Sequence, residues 1–255
     1  MGGLSRRERP FAPLEEQVVW HDVECAAYEA DLELWLGLAE DRGGPLLDLG
    51  AGTGRVALLL AERGHDVTAL DADRPLVETL AARARERGLH VATHTVDIRS
   101  FELPGRRFAL AIAPMQVFQL LGGVAGRESA LRAVRAVLDD GGLLAVALAD
   151  PFEGIASEDA LPPLPDVREQ DGWVFQSAPI ALRAGADHTA IERLRQAVSP
   201  EGALHESMAV IRLDTVSPEQ LEHEAAANGY NAIAREHVPE TEAYVGSAVA
   251  LLEAR

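Results

Sequence analysis

Three alternating glycines and two carboxylates form the most informative pattern in the sequence. Gly50, Gly52 and Gly54 follow directly after a short apolar run. Asp48 lies two residues before the first glycine, and Asp71 ends the next apolar run. Glycines at this spacing allow a tight turn and let a ligand approach backbone N–H groups that a Cβ atom would block. A carboxylate after the second run can accept two hydrogen bonds from a ribose diol, so the pattern predicts a nucleoside-containing cofactor.

The charge beside these glycines separates two classes of cofactor. A dinucleotide places its pyrophosphate against the glycine turn and the following helix N-terminus, where a nearby carboxylate is unfavourable. Asp48 is such a carboxylate, and the spacing Gly-x-Gly-x-Gly differs from the Gly-x-Gly-x-x-Gly of dinucleotide sites. S-adenosylmethionine carries a sulfonium and an ammonium and has no phosphate. It therefore fits the sequence better, with Asp48 as its electrostatic partner, directly or through water.

The basic residues narrow the chemistry further. All 23 of them are arginine, so the chain has no lysine for a Schiff base, a pyridoxal phosphate anchor, a P-loop or a kinase site. The chain also has 41 acidic residues, which give a net charge of -18 at pH 7. Such a charge repels phosphate backbones, and we expect no nucleic-acid partner.

The cysteine count and the hydropathy pattern bear on location. The single cysteine, Cys25, cannot form an internal disulfide, which indicates a reducing compartment and excludes a Cys-x-x-Cys metal site. No apolar run reaches the roughly 18 residues of a membrane span, and residues 1–12 show no signal-peptide pattern. We therefore expect a cytoplasmic protein without a membrane partner, with residues 1–12 frayed.

The elements that must position these residues follow from hydrophobic periodicity. Strand-like runs lie at 46–49, 67–70, 91–96, 108–113 and 143–149. Helical patterns lie at 55–63, 75–87 and 127–138, with a turn at 139–142 and one or two leading helices at 14–39. Strands that alternate with such helices form a parallel sheet that binds ligands at the carboxyl ends of its strands. The prediction is an α/β fold with a Rossmann-like, doubly wound, mostly parallel sheet of seven strands.

The sequence changes character after the fifth strand. Residues 150–171 are rich in proline and acids and predict an irregular loop. Three β-rich segments at 173–182, 189–198 and 204–213 then predict an antiparallel insertion. Ser217 caps a further helix, and strands at 231–236 and 246–252 complete the sheet. We divide the chain into a helical lid (1–44), a cofactor-binding core (45–150), an acceptor-side insertion (151–215) and a C-terminal part of the core (216–255).

Residues 46–56, Asp71 and the pair Asp97 and Ile98 resemble the motifs of class I S-adenosylmethionine-dependent methyltransferases. The motifs cover about 45–149, and element order extends the resemblance to the remainder. In that family the glycine loop holds the methionine part of the cofactor, the acid after strand two holds the ribose, and an Asp–hydrophobe pair brackets the adenine. The resemblance implies a cofactor site formed by Asp48, Gly50, Gly52, Gly54, Asp71, Ala72, Asp97, Ile98 and Ala113.

The end of the fourth strand bears on the methyl acceptor. Family members that methylate nucleobase or amide nitrogens resemble one another in an Asn/Asp-Pro-Pro-aromatic stretch, and this chain has Ala113-Pro114-Met115-Gln116 instead. Magnesium-dependent catechol methyltransferases need carboxylates after strands four and five, because a hard cation takes several oxygen ligands. Asp150 is available, but Ala113 and Pro114 supply no ligand opposite it. We therefore expect no metal.

The remaining pattern is similar to small-molecule methyltransferases of the glycine and amino-sugar N-methyltransferase branch. It combines an N-terminal helix that carries Tyr28 with an antiparallel insertion. We expect metal-independent, in-line transfer of a methyl group from S-adenosyl-L-methionine to an amine or hydroxyl, with S-adenosyl-L-homocysteine as product. Tyr28 and Gln116 are the candidates for catalysis by positioning, and His21 and Trp20 are weaker ones.

Two other functions stay open on the sequence alone. A non-catalytic protein that binds S-adenosyl ligands would carry the same motifs. A nicotinamide-dependent oxidoreductase is disfavoured, because a Tyr-x-x-x-Lys site needs a lysine. The sequence also leaves open the identity of the acceptor, transfer to nitrogen or oxygen, and a homodimer.

Overall fold

The computed structural model describes residues 13–151, 164–241 and 244–255. The expectations for residues 1–12 and for the central part of the 150–171 loop lie outside these ranges. The described helices are α1 (Pro13–Cys25), α2 (Leu32–Arg42), α3 (Arg55–Glu62), α4 (Arg74–Glu86), α5 (Val124–Arg135) and α6 (Pro218–Ala227). None of these helices is long and apolar enough to cross a membrane.

The described strands fall into two sheets. Those of the first half are β1 (Leu46–Leu49), β2 (Val67–Asp71), β3 (Val91–Thr95), β4 (Phe108–Ala113) and β5 (Leu138–Leu148). Those of the second half are β6 (Asp166–Gln170), β7 (Trp173–Ala184), β8 (His188–Val198), β9 (Leu204–Asp214), β10 (Tyr230–Val238) and β11 (Ser247–Ala254). The larger sheet has the order β10-β11-β5-β4-β1-β2-β3. Strands β1 to β5 pair in parallel and β11 pairs antiparallel with β5 and β10, which confirms the predicted seven-stranded fold.

Helices cover both faces of the larger sheet, as a parallel sheet requires. On one face, Leu47 and Leu49 of β1 belong to the same buried cluster as the apolar residues of α5 and α6. On the other face, Leu46 belongs to a cluster with Trp35 of α2 and the apolar side of α3. Because side chains alternate along a strand, Asp48 lies on the same face as Leu46. The sequence of β1 thus buries a carboxylate between sheet and helices.

Strands β6 to β9 form a second, antiparallel sheet in chain order, as predicted for the insertion. Helix α1 packs on one of its faces, where Trp20 lies edge-on to Phe175 with ring centroids 5.7 Å apart. Both rings are buried in one cluster with Val23 and Ala197. Helix α2, in contrast, packs in the core of the larger sheet. The two leading helices therefore belong to different parts of the structure.

Three element boundaries differ from the prediction. Strand β5 begins at Leu138 because this residue pairs with Phe108, and a bulge then accommodates the predicted turn at 139–142 before Leu143 pairs with Leu110. Strand β6 lies within the segment predicted as a loop; its charged alternation carries no apolar signal, and pairing with β7 supplies its partners. Helix α5 begins three residues earlier than predicted, at Val124.

The start of α6 agrees with the prediction. Ser217 accepts a hydrogen bond from the Gln220 amide, and the Gln220 side chain accepts one from the amide of Ser217. This reciprocal capping box, with Pro218 at the first helical position, is a local signal that needs no tertiary partner.

Candidate active site

A cavity of about 410 Å³ opens at the carboxyl ends of the parallel strands. The predicted site residues that line it are Asp48, Gly50, Asp71, Ala72, Asp97, Ile98 and Gln116. The predicted site residues that do not line it are Gly52, Gly54, Ala113 and Tyr28. His21, one of the two weaker candidates, also lines it, and the structure adds Cys25 and Arg55 to its wall.

The glycines of the turn are required for different reasons. Gly50, Gly52 and Gly54 all have positive φ, at 69°, 55° and 97°, which favours glycine over any other residue. A Cβ atom on Gly50 would lie 2.6 Å from Val117, and one on Gly52 would overlap the His21 ring. A Cβ on Gly54 would press against side chains of α3 and α4. Backbone conformation and close packing therefore explain Gly52 and Gly54, and Gly50 faces the cavity.

Asp71 closes this turn from the end of β2. Its Oδ2 accepts a hydrogen bond from the amide of Gly52, and its Oδ1 accepts one from the amide of Asp73, both at 2.8 Å. A carboxylate oxygen has more than one lone pair, so each can accept a further hydrogen bond. Asp71 is half-buried and lines the cavity, and its carboxylate both shapes the turn and remains open to a ligand.

Asp48 is a buried carboxylate without a partner. The residue is 1% exposed, and neither side-chain oxygen has a hydrogen-bond partner within the described part of the chain. Burial raises the pKa of Asp48 to about 7, while Arg55 acts in the opposite direction and Asp71 adds to the rise. Leaving a buried polar group unpaired costs free energy, and such groups are candidates for ligand contacts.

Arg55 places a positive charge in the same wall. Its two terminal nitrogens donate to Asp31 at 2.5 and 2.7 Å, and it also donates to the carbonyl of Tyr28 at 2.7 Å. Asp31 accepts a further hydrogen bond from the indole of Trp35. The start of α3 is thereby fixed to the link between α1 and α2. Sequence reasoning did not single out Arg55, although it directly follows the last glycine of the turn.

The segment after β3 forms another part of the wall. Ile98 is buried, and Ala72, at the start of the next loop along the cavity, is exposed. Asp97 accepts hydrogen bonds from the side chain of Arg99 at 2.6 to 3.0 Å and from its amide at 2.9 Å. Pairing with Arg99 lowers the pKa of Asp97 and keeps the carboxylate ionised.

The loop after β4 lines the cavity, but Ala113 does not. Ala113 is fully buried within the sheet, where it pairs with Val146 of β5. The wall is made instead by the residues that follow, including Met115 and Gln116. Met115 has a positive φ of 57°, which is uncommon for a residue with a Cβ and is found at functional sites. Gln116 is half-buried and presents an amide that can both donate and accept.

Tyr28 lies outside the cavity, contrary to its predicted role as a positioning residue. Its ring packs 4.9 Å from the ring of Tyr244, and the Arg55 guanidinium lies 5.1 Å from its centroid. The residue is 4% exposed and belongs to the core cluster that includes α2. The cavity-lining residues of this region are Cys25 and His21, three and seven positions earlier on α1.

His21 covers the glycine turn and its tautomer follows from its neighbours. Its Nδ1 lies 3.4 Å from the hydroxyl of Thr53, and that hydroxyl donates to Asp22 at 2.7 Å. Thr53 has one hydroxyl proton, so it can only accept from His21, which places the imidazole proton on Nδ1. Burial lowers the pKa of His21. The ring is therefore neutral at pH 7, with Nε2 as an acceptor.

Two carboxylates attach α1 to the rest of the molecule. Asp22 accepts from both terminal nitrogens of Arg83 on α4 as well as from Thr53. Glu24 accepts from Arg195 of β8 at 2.7 and 2.8 Å and from Ser177 of β7 at 2.7 Å. Burial opposes ionisation of both carboxylates, but the hydrogen bonds from arginine outweigh it and lower both pKa values.

The described residues contain no cluster of three or more His, Cys, Asp or Glu side chains that could hold a metal ion. Asp150 lies apart from the cavity, in a separate one of about 500 Å³ beside the turn between β7 and β8. Cys25 does line the cavity, but burial raises the pKa of its thiol to about 12. The thiol is therefore protonated and a poor nucleophile at neutral pH.

Comparison with protein families finds a match in the part of the chain that holds the parallel strands. Residues 46–142, which include the glycine turn and the strands from β1 to β4, match the model of a methyltransferase domain. The chain carries a methyltransferase domain. This match confirms the methyltransferase family that the glycine turn and Asp71 indicated. It replaces the oxidoreductase alternative. Among curated proteins, no match is found.

Solved structures share the fold over nearly the whole chain. A S-adenosylmethionine-dependent methyltransferase from Clostridium acetobutylicum has a TM-score of 0.72 at 12% identity, covering 94% of this chain and 98% of its own. The sugar N-methyltransferase KedS8 from Streptoalloteichus has a TM-score of 0.69 at 22% identity, with coverages of 98% and 97%. CalS10, an amino pentose methyltransferase from Micromonospora echinaspora, has 0.67 at 20%, with coverages of 97% and 99%. The methyltransferase fold therefore includes the second sheet.

Proposed function

We propose that this methyltransferase transfers a methyl group from S-adenosylmethionine to an amine of a small molecule. The observation that carries the proposal is Asp48, a buried carboxylate on the wall of a cavity that the glycine turn borders. Its oxygens have no hydrogen-bond partner in the described part of the chain. A ligand that compensates it must bring a hydrogen-bond donor or a positive charge, and the cofactor brings an ammonium and a sulfonium. The cavity volume lies within the range of about 300–1,000 Å³ that is typical of ligand sites.

Each of the other cavity residues would contact a different part of the cofactor. Asp71 would hold the ribose by accepting from its hydroxyls, because its oxygens keep free lone pairs beside their bonds to the turn. Ala72 and Ile98 would hold the adenine, with Asp97 at its edge. Arg55 is the cation nearest in sequence to the turn and would hold the carboxylate of the methionine part. Nε2 of His21, which packs on Gly52, is an acceptor on the α1 side of the same pocket.

The chemistry needs positioning more than acid–base groups. When bound, the cofactor supplies a methyl group on a positively charged sulfur, which is a good leaving group. Holding the acceptor in line at about 3 Å can by itself be worth about 7–11 kcal/mol. We assign this positioning to Gln116, because its amide lies on the cavity wall after β4. Tyr28 is left with a packing role, since its ring lies in the core.

An amine suits this cavity better than a hydroxyl. A neutral amine attacks without prior loss of a proton, whereas an alcohol needs a base beside it. The loop at 114–117 has no ionisable side chain, and the Cys25 thiol is protonated because of its raised pKa. The neutral imidazole of His21 also lines the cavity, but its Nε2 packs against Gly52 of the glycine turn and not against the loop after β4. Two of the similar structures are those of a sugar N-methyltransferase and of an amino pentose methyltransferase, so amino sugars are the first acceptors to test.

Helix α1 is the lid in this proposal. It carries His21 and Cys25 into the cavity wall, whereas α2 belongs to the core, so the lid predicted at 1–44 narrows to α1. We keep the predictions of metal-independent transfer, of a cytoplasmic location and of no nucleic-acid partner.

A transfer assay tests the proposal. Protein and methyl-labelled S-adenosylmethionine are incubated with amino sugars, simple amines and phenols, with and without EDTA. We expect label on an amine and unchanged rates in EDTA. Gln116→Ala should raise the KM for the acceptor at least tenfold and leave cofactor affinity unchanged, whereas Gln17→Ala, on the exposed side of α1, should change neither.

Any other outcome of the transfer assay would contradict a specific part of the proposal. Cofactor binding without transfer to any acceptor would favour the non-catalytic alternative. Transfer to phenols alone would contradict the amine assignment. Loss of activity in EDTA and its recovery with magnesium would contradict the metal-independent mechanism.

A further inference from the structure

Asp48 and Arg55 are groups of opposite charge on the same cavity wall, but they do not pair with each other. Neither oxygen of Asp48 accepts a hydrogen bond within the described part of the chain, and Arg55 forms its ion pair with Asp31 instead. Arg55 is still close enough to oppose the rise that burial causes in the pKa of Asp48. Opposite charges in a buried environment attract strongly, because the local dielectric constant is low. The other contacts of Arg55 must therefore hold the two groups apart.

Asp31 holds the guanidinium of Arg55 by its end. Its Oδ1 and Oδ2 accept from Nη1 and Nη2 at 2.5 and 2.7 Å, and Nη1 also donates to the carbonyl of Tyr28. The ring of Tyr28 packs against the same group, with its centroid 5.1 Å from the guanidinium carbon. Asp31 is 2% exposed, and the indole of Trp35 donates to its carboxylate at 2.8 Å. These contacts fix the orientation of Arg55 and keep it from turning toward Asp48.

The same contacts leave one edge of the guanidinium for a ligand. Asp31 and Tyr28 use three of the five N–H donors of Arg55. The N–H of Nε and the second N–H of Nη2 have no partner among the residues that the structure describes. These two donors lie side by side on the planar group, in the arrangement that a carboxylate can accept with both oxygens. Asp31 does not itself line the cavity, so any effect on a ligand passes through Arg55.

We propose that Asp31 is a positioning residue that holds Arg55 apart from Asp48, so that both charges stay available for the amino-acid part of the cofactor. The inference rests on the proposed function, in which Asp48 faces the ammonium of the cofactor and Arg55 its carboxylate. This part of the cofactor is a zwitterion, and it needs an anion and a cation that do not neutralise each other. Without the charge of Asp31, Arg55 would pair with Asp48, because a buried charge requires a partner. Both groups would then be lost to the ligand.

Two ligands that differ in the amino-acid part test the proposal. S-adenosylhomocysteine carries the zwitterion, and 5′-methylthioadenosine carries only a methyl group on the same sulfur. Calorimetric titration of Asp31→Asn at pH 8 should show about 10- to 100-fold weaker binding of S-adenosylhomocysteine, since charge-assisted contacts are lost. Binding of 5′-methylthioadenosine should stay as in the wild type. A purely structural role of Asp31 would weaken both ligands alike, and this result would overturn the proposal.

Arg55→Gln shows whether Asp31 acts through the guanidinium. It should weaken S-adenosylhomocysteine binding as Asp31→Asn does, and the double variant should bind no more weakly than Arg55→Gln alone. Effects that add would mean that Asp31 acts independently of Arg55, against the proposal. Glu224→Gln is the matched control, because Glu224 is 9% exposed and accepts two hydrogen bonds from Arg127 away from the cavity. It should leave the ratio of the two affinities unchanged.

The unliganded protein gives a second readout. In Asp31→Asn the pKa of Asp48 should fall well below its wild-type value of about 7, because Asp31 no longer repels the carboxylate and Arg55 pairs with it. Asp71, which also acts on the pKa of Asp48, is the same in both proteins. The carboxyl chemical shift of Asp48 measured over pH reports this value. An unchanged or higher pKa in the variant would overturn the proposal.

Folding of each variant is checked by circular dichroism. If Asp31→Asn does not fold, Asp31→Glu provides the test, because it keeps the charge and displaces it by one methylene. It should weaken S-adenosylhomocysteine binding and leave 5′-methylthioadenosine binding as in the wild type; unchanged binding of both would then overturn the proposal. A wild type that binds both ligands equally would overturn this inference alone. A wild type that binds neither would contradict the cofactor placement in the proposed function as well.

Discussion

Two buried aspartates show how partners decide what a carboxylate does. Asp22 and Asp48 are 2% and 1% exposed, yet their pKa values shift in opposite directions. Asp22 accepts hydrogen bonds from Arg83 and Thr53, which outweigh its burial. Neither carboxylate oxygen of Asp48 has a hydrogen-bond partner of good geometry among the described residues, and burial raises its pKa. One carboxylate therefore stabilises the fold, and the other is free to bind a ligand.

Asp48→Asn should stabilise the unliganded protein and weaken cofactor binding. The folded-state pKa of about 7 lies above the ordinary 3.8, so ionisation costs stability, and the cost rises between pH 3.8 and 7 and is complete above it. The full difference between the two pKa values corresponds to about 4 kcal/mol of stability. The asparagine amide is also buried and unpaired, which costs part of this, so the net gain of Asp48→Asn should be about 1–3 kcal/mol at pH 8. Melting curves at pH 5 and pH 8 should show the larger gain at pH 8.

Binding by the same variant should weaken about 10- to 100-fold, since a charge-assisted contact is replaced by a neutral one. Asp139→Asn, which removes an exposed carboxylate far from the cavity wall, should alter neither property. Wild-type affinity together with a lower melting temperature would contradict the assigned role of Asp48.

Asp71→Ala should weaken cofactor binding by about 2–4 kcal/mol, because two ribose hydrogen bonds to a charged acceptor are lost. Asp71→Asn should have a smaller effect, since one oxygen remains. The alanine variant should also melt lower, because the amides of Gly52 and Asp73 lose their acceptor. Calorimetric titration with S-adenosylhomocysteine decides the matter; unchanged affinity in a folded Asp71→Ala protein would exclude the ribose contact.

At the scale of elements, α1 connects three parts of the molecule. Its apolar side packs on Phe175 of the second sheet, and Asp22 bonds to α4 and to the residue after Gly52. Glu24 bonds to β7 and β8. The cavity wall contributed by His21 is therefore held by charged contacts on both sides.

Glu24→Gln should lower both stability and methyl transfer at neutral pH. Removing one partner of a buried ion pair costs about 3–5 kcal/mol, and the partial exposure of Arg195 reduces this to about 1–3 kcal/mol. The folded pKa of Glu24 is lowered, so its contribution is present above pH 4.5 and is lost as pH falls through the folded pKa. The melting difference from wild type should therefore narrow from pH 7 toward pH 4. Glu29→Gln, at an exposed position, should match wild type throughout. A melting difference for Glu24→Gln that stays constant with pH would contradict the assigned role of the Glu24 ion pair.

At the scale of the whole molecule, cofactor binding should appear as a gain in global stability. A ligand at 100 times its dissociation constant contributes about 2.7 kcal/mol, which for a chain of this size raises the melting temperature by roughly 5 to 11 °C. We expect this shift with S-adenosylmethionine and S-adenosylhomocysteine and none with NADH. A shift with NADH alone would contradict the cofactor assignment.

The sequence by itself determined most of the order of elements and the position of the glycine turn. Local signals carry this information: the glycine turn with its positive φ values, the capping box at Ser217, and the apolar runs of the parallel strands. Strand β6 and the start of β5 escaped prediction because pairing with β7 and β4, rather than local hydropathy, makes them strands.

Tertiary structure alone decided which side chains reach the cavity and how their charges behave. Tyr28 and His21 lie on the same leading region, but packing against Tyr244 buries the first while the second covers Gly52. The raised pKa of Asp48 and the lowered pKa of Asp22 depend on partners distant in sequence. Periodicity shows that strand residues alternate between two faces, but long-range contacts decide which face of the second sheet meets α1. Phe175 and Ala197 pack against the helix, whereas Val174 and Met208 lie on the exposed side.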